Sequence, residues 1–231
     1  MATNGFNGFS KDTVKFLKAL EKNNDKAWFD AHRQDYEQHY LEPAKQLVTA
    51  LGPGLKKISS SIEAQPKVNG SIFRINRDIR FSKDKTPYKP HIDLWFWEGD
   101  ERSFGSSGFF LRLAPKQLIL GAGLHRFDKE QLKGFRSGVD DEKRGKALVT
   151  AIKRVTDTGE YEVRGESYKK VPRGFDPQHP RAALLRHGSL HAVLEQKLPA
   201  EIHSPAFVEY CLRHFKAMAP IHKWLMGLSA S

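Results

Sequence analysis

"IDLWFWEGDERSFGSSGFFLRLAPKQLILGAGL", residues 92 to 124, decides the fold. Three apolar runs, 92–99, 108–114 and 117–124, read as strands. Pro115 and Lys116 leave room for only a tight turn between the last two, and Gly99 to Gly108 form a longer loop. Neighbouring strands joined this way make an antiparallel meander. Immediately upstream, Phe73, Ile75, Ile79 and Phe81 alternate with Arg74, Asn76, Asp78 and Arg80. That period of two predicts another half-buried strand over 73–81, with Arg77 on the apolar face needing a bulge or a buried partner. "SLHAVLEQKL", Ser189 to Leu198, is a candidate last strand.

Helical patterns flank the meander. Ser10 opens the first helix, with Phe9 and Val14 as a hydrophobic staple. Asp25 suits the cap of a second, where Trp28, His32, Tyr36 and Tyr40 recur every fourth residue. Pro43 suits the first turn of a third, which Gly52-Pro53-Gly54 should break or kink. Further helices are expected at 128–137, 141–156 and near 182–186. A final one follows Ser204-Pro205 with Phe207, Val208, Cys211, Leu212, Phe215 and Met218 on its apolar face, interrupted at Pro220. The fold class is therefore α+β: a meander of about four to five strands packed against N-terminal and C-terminal helices. A single domain over 1–231 is expected, helical over 1–60, sheet over 71–125, and helical with a basic loop over 126–231.

The chain has 231 residues, 39% hydrophobic and 11% aromatic, which supports a substantial core and argues against wholesale disorder. No apolar run approaches the roughly 20 residues that cross a bilayer, and the start lacks a basic region followed by an apolar one. The lone cysteine, Cys211, sits in an apolar helical pattern, so it reads as core rather than nucleophile. A cytoplasmic protein is expected, with no membrane partner.

The net charge is +11, and it is unevenly spread. Residues 66–91 hold seven Lys/Arg against two acids, and residues 164–191 hold six against two. Localised excess points to an anionic partner, either a phosphate-bearing small molecule or nucleic acid. "FRINRDIRFSKDKTPYKPH", residues 73 to 91, is the densest part. Pro87 and Pro90 stiffen Thr86 and Lys89, holding Tyr88 among Lys83, Lys85, Lys89 and His91. A loop ordered in advance loses less entropy on gripping a ligand. Arginine forks and lysine ammonium groups bind phosphate or carboxylate, and a tyrosine hydroxyl donates to an oxyanion. The candidate anion-binding residues are Arg74, Arg77, Arg80, Lys83, Lys85, Tyr88, Lys89 and, from "YKKVPRG", Arg173, with Asp78 and Asp84 as supporting acids. The segment 164–186 is expected to approach 73–91 and complete a cradle. The plainer alternative is an exposed hairpin edge guarded by lysines. An enzymatic alternative has Arg74, Arg80, Lys85 and Lys89 orienting a phosphate- or carboxylate-bearing substrate, with Asp78 or Asp84 as acid/base or metal ligand.

The same run, with "NNDKAWF" (23–29) upstream and "GAGLHR", "VPRGFDPQHPRAALLRH" and "APIHKWL" downstream, resembles the bacterial domain-of-unknown-function family 2461. The resemblance spans nearly the whole chain. It implies a single-domain soluble protein and no particular reaction, so no catalytic residues carry over.

Other motifs are weaker. His187 and His191 have metal-like spacing, but Gly188 between them would end a helix. Glu195-Gln196-Lys197 with Asp176 matches a common acid–acid–lysine nuclease pattern only by short chance. Gly121-Ala122-Gly123 lacks the strand–helix context of a phosphate loop and suits a bulge or close packing. Trp95 and Trp97 share a strand face with Asp93, either packed beneath a helix or forming a stacking platform for bases. No cofactor and no metal set is expected.

Overall fold

The computed structural model describes residues 5–99 and 105–228. In chain order the elements are α1 (Lys11–Lys22), α2 (Lys26–Ala31), α3 (Arg33–Tyr36), a π-turn (Glu37–Leu41), α4 (Glu42–Ile58), β1 (Ile62–Glu63), β2 (Ile92–Glu98), β3 (Gly108–Leu113) and β4 (Gln117–Leu124). There follow α5 (Lys129–Asp140), α6 (Glu142–Thr156), β5 (Glu162–Glu166), α7 (Ala182–Leu185), β6 (His187–Lys197), a short 3-10 turn (Ala200–His203) and α8 (Ala206–Met226). The six strands form one antiparallel sheet in the order β1-β2-β3-β4-β6-β5. The α+β class and the meander hold.

Local chemistry sets the helix starts as the sequence predicts. Ser10 caps α1 and Asp25 caps α2. Asp128 and Gln131 close a full capping box on α5, and Asp141 caps α6. The Ala114–Gln117 pair closes the Pro115-Lys116 turn with two backbone hydrogen bonds. Residues 100–104, the middle of the longer loop, lie outside the described residues.

Four expectations need correction. No strand forms over 73–81; that segment is an irregular excursion beside β2. Two strands, β1 and β5, occupy the sheet edges instead. α4 runs through Gly52-Pro53-Gly54, and α8 runs through Pro220. Both prolines withdraw a hydrogen bond from a carbonyl, of Thr49 and of Lys216, on an exposed residue where water substitutes. Gly54 is there for another reason. A Cβ on it would sit 2.3 Å from Leu212 Cδ1, so glycine lets α4 and α8 approach closely.

α8 crosses the middle of one sheet face. Phe215 meets Phe96 and Phe109 from β2 and β3, with ring centroids 6.3 and 5.2 Å away. Alternation therefore turns Ile92, Leu94, Phe96 and Glu98 toward α8, and Asp93, Trp95 and Trp97 away from it. Phe215 is fully buried, so truncation to alanine costs about 3–5 kcal/mol. Among the described residues, no helix is long and apolar enough to cross a membrane.

Candidate functional site

The basic run doubles back on itself. Ile72 bridges Leu94 and Phe73 donates to the Asp93 carbonyl, which ties the run to the edge of β2. Asn76 bridges Tyr88, Arg77 N donates to Pro87 O at 2.8 Å, and Lys89 N donates to Ile75 O at 2.8 Å. The apolar alternation that predicted a strand fails halfway: Ile75 is buried, whereas Phe81 is 94% exposed.

Side chains hold the tip instead. Arg80 grips Asp78 through Nε (3.0 Å) and a terminal nitrogen (2.7 Å), which holds the Asp78 carboxyl down at about 2. Asp84 accepts from Thr86 N (3.0 Å) and Oγ1 (2.7 Å) and pairs with Arg77; the Thr86 bonds hold its carboxyl below the usual range. With no strand here, the expected bulge or buried partner for Arg77 does not arise; its partner, Asp84, is exposed. Lys85 Nζ donates to Ile79 O at 2.8 Å. Asp78 and Asp84 are exposed and already engaged, which removes the basis for either as a poised acid/base.

Tyr88 has a different role from the one expected. It is buried, its ring stacks on Phe29 at 4.2 Å, and Asn24 brackets its backbone by donating to its carbonyl and accepting from its N–H. Burial pushes its hydroxyl pKa up. Tyr88 anchors the loop rather than presenting a donor.

Behind the loop lies a denser cluster. Asp93 and Arg112 are register partners on β2 and β3. Their side chains meet in a fork, Nε to Oδ1 at 2.7 Å and a terminal nitrogen to Oδ2 at 2.8 Å, and His91 Nε2 is 3.2 Å from the same Oδ2. Burial alone would raise the Asp93 carboxyl, but the bonds from His91 and Arg112 overcome it and lower the pKa. Lys89 is half-buried, its ammonium 5.4 Å from the Phe73 ring centroid. Burial lowers its pKa, Arg74, Arg112 and Arg77 lower it further, and Asp93 opposes them.

The second basic stretch does not approach the first. Residues 73–91 flank β2, while Arg164 lies on β5 at the other edge, and the loop carrying Arg173 returns to β6. Four strand spacings separate the first stretch from β6, roughly 20 Å. Among the described residues, no hydrogen bond or ion pair joins the two. Arg164 is held by Glu162 and Glu195, and Arg186 by Glu166. Arg181 is buried and donates to the carbonyls of Val139, Asp140 and Asp141, tying off the end of α5. Arg173 is exposed on its loop. Much of this stretch is structural.

A model of the conserved hypothetical proteins DUF2461 matches residues 12–224. The chain belongs to that family. No curated protein matches it.

The DUF2461 chain also brings together residues that sequence reading did not select. Ser107 Oγ lies 2.8 Å from His222 Nδ1, and His222 Nε2 lies 2.9 Å from Glu98 Oε1. All three are buried, and they come from the end of β2, the approach to β3 and α8. Only the tertiary fold joins positions 98, 107 and 222; no local spacing announces them. His125 and His191 also meet, with ring centroids 4.3 Å apart. Burial and then His125 push the His191 pKa down to about 4. His187 and His191 lie on β6, so their spacing is not that of a helix face. Trp95 and Trp97 point away from α8, yet both are buried, which leaves neither ring available as a platform for bases. A groove of about 1080 Å³ runs between α4, α6 and α8. Its floor includes Val208, Leu212 and Ala217, and Lys57, Arg154, Lys216 and Lys223 stand on its rim with Glu209 as the one acid.

Proposed function

We propose that this protein binds a phosphate-bearing ligand through the base of the 73–91 loop, with Lys89 and Arg74 as the primary contacts and Arg77 and Arg112 behind them. One observation carries the reading. Three arginines, Arg74, Arg77 and Arg112, crowd around the half-buried Lys89 ammonium, and the acids facing these four cations, Asp93 and Asp84, leave the cluster positive. A bound anion relieves that repulsion, and the loop that presents it is already fastened by Asn24 and Tyr88, so little ordering entropy opposes binding. The fully buried thiol of Cys211 fits the cytoplasm as the working compartment.

A second location is favoured by shape. The α4–α6–α8 groove is a concavity of about 1080 Å³, and its four rim cations have no ion-pair partner among the described residues. It suits an anion with an apolar body.

Titration with inorganic triphosphate, ATP and a fluorescent single-stranded oligonucleotide, each at several salt concentrations, tests both. The first reading expects binding that weakens as salt rises and falls at least tenfold in Arg74→Glu/Lys89→Glu, while Lys216→Glu/Lys223→Glu retains it. The reverse pattern moves the site to the groove. Absence of binding to all three probes sinks the anion reading.

A further inference from the structure

We propose that Ser107, His222 and Glu98 form a nucleophilic relay, giving this protein an acyl-transfer activity toward small neutral esters that is separate from anion binding. The polarity of the chain of contacts is correct for this. Glu98 accepts at 2.9 Å from His222 Nε2–H, which leaves the Nδ1 lone pair facing Ser107 Oγ at 2.8 Å. A nucleophile touching a base, and the base oriented by a third group, is the arrangement that activates serine on unrelated folds. Hydrogen bonding from His222 keeps the Glu98 carboxyl ionised against the burial that would raise it.

A buried polar chain of this kind also serves to fasten a helix to a sheet, and the cavity distinguishes the two roles. Ser107 lines a void of about 260 Å³ beside the end of α8, together with Ser106, Leu124, Phe127 and Leu225. The same helix carries an internal control. Tyr161 hydroxyl meets His214 Nδ1 at 2.7 Å, but among the described residues no carboxylate hydrogen-bonds to that imidazole, and Tyr161 does not line the void. His214 has a fastening partner; His222 has an orienting acid and a hydroxyl partner, Ser107, that borders a space for a substrate.

The chemistry balances without a cofactor. Ser107 Oγ attacks the ester carbonyl carbon as its proton passes to His222 Nδ1, and the carbonyl π pair moves to oxygen. Collapse of the tetrahedral adduct breaks the bond to the leaving alkoxide, which takes the proton from Nδ1 and departs as alcohol. Water then attacks the Ser107 acyl ester, giving its proton to Nδ1; Ser107 Oγ leaves and recovers that proton, releasing the carboxylic acid. The void lies just below the usual 300–1,000 Å³ of ligand pockets, so it takes a short acyl group. Apolar walls and the Glu130 carboxylate on the lining select against an anionic one.

Diisopropyl fluorophosphate tests the nucleophile directly on the full chain, followed by peptide mapping. The expected result is one adduct on Ser107 in preference to Ser106, absent in Ser107→Ala and formed at least tenfold more slowly in Glu98→Gln. Hydrolysis of p-nitrophenyl acetate should follow the same ranking, and Ser106→Ala should keep the Ser107 adduct. No adduct on folded wild type, equal modification of both serines, or an unchanged rate in folded Glu98→Gln overturns the proposal. Wild-type labelling decides the matter if the variants do not fold. Neither outcome bears on the 73–91 loop.

Discussion

Two carboxylate–guanidinium pairs, one at the tip of the basic loop and one behind it, behave oppositely. Asp78 and Arg80 are neighbours in sequence at the exposed tip of the loop, with side chains 45% and 76% accessible. Asp93 and Arg112 are neighbours only across the β2–β3 ladder, with side chains 7% and 37% accessible. The geometry of the contact is nearly the same. The first pair gives up little hydration and can re-form with water; the second has lost most of the hydration around its acid, so each member depends on the other. Density of charge along the sequence marks the first pair, whereas consequence belongs to the second.

Removing one member of the buried pair breaks that contrast most sharply. Asp93→Ala leaves Arg112 partly buried beside Lys89 with no carboxylate, and should cost about 3–5 kcal/mol in denaturant unfolding. The double change Asp93→Leu/Arg112→Met should recover most of that loss, because two apolar side chains need no partner. A loss below about 1 kcal/mol for the single variant would mean that water reaches the pair and the contrast is false.

The same sheet face gives the next effect, in pH. Burial and His125 hold His191 at about 4, below the ordinary histidine value of about 6.5 in an unfolded chain. Between those values the unfolded state binds the proton and the folded state refuses it. Stability is therefore full above pH 6.5 and falls as pH drops toward 4, by at most about 3 kcal/mol from this residue. His191→Gln should flatten the unfolding free energy across that window. An unchanged slope would assign the acid sensitivity elsewhere.

How far the sequence could be read follows the same division between local and cross-chain causes. Caps at Ser10 and Asp25, and helix starts at 128 and 141, were legible because a cap bonds within three residues of itself. The three meander strands were legible because their apolar runs and the Pro115-Lys116 turn are also local. The 73–81 strand misled because a period of two needs a neighbour to pair with along its length. The run does flank β2, but its alternation carries Phe81 into solvent. β5 escaped notice because "EVRGE" is an edge strand whose outer residues stay polar. Within the candidate site, Lys89 and Arg74 could be selected from charge alone. Asp93, Arg112 and the Ser107–His222–Glu98 chain could not, since their meaning lies in register and in α8 crossing the sheet.

Loop anchoring gives a smaller effect. Asn24→Ala removes both bonds that bracket Tyr88, and should cost about 1–2 kcal/mol while speeding limited proteolysis within 78–86. Tyr88 stacked on Phe29 supplies what anchoring remains. Cleavage at the wild-type rate would show that the prolines alone order the loop.

The smallest effect concerns the tip. Arg80→Ala breaks the Asp78 pair, but both groups face water, so the unfolding midpoint should not move measurably. Its influence on ligand should be equally slight beside that of Lys89. Arg80 spends its fork on Asp78, whereas Lys89 Nζ rests over the Phe73 ring among arginines that repel it. Triphosphate affinity should thus fall less in Arg80→Ala than in Lys89→Ala at the same salt. If Arg80→Ala is the more damaging, the anion is held at the tip, and the Asp78 pair is a latch that the ligand opens rather than a surface ornament.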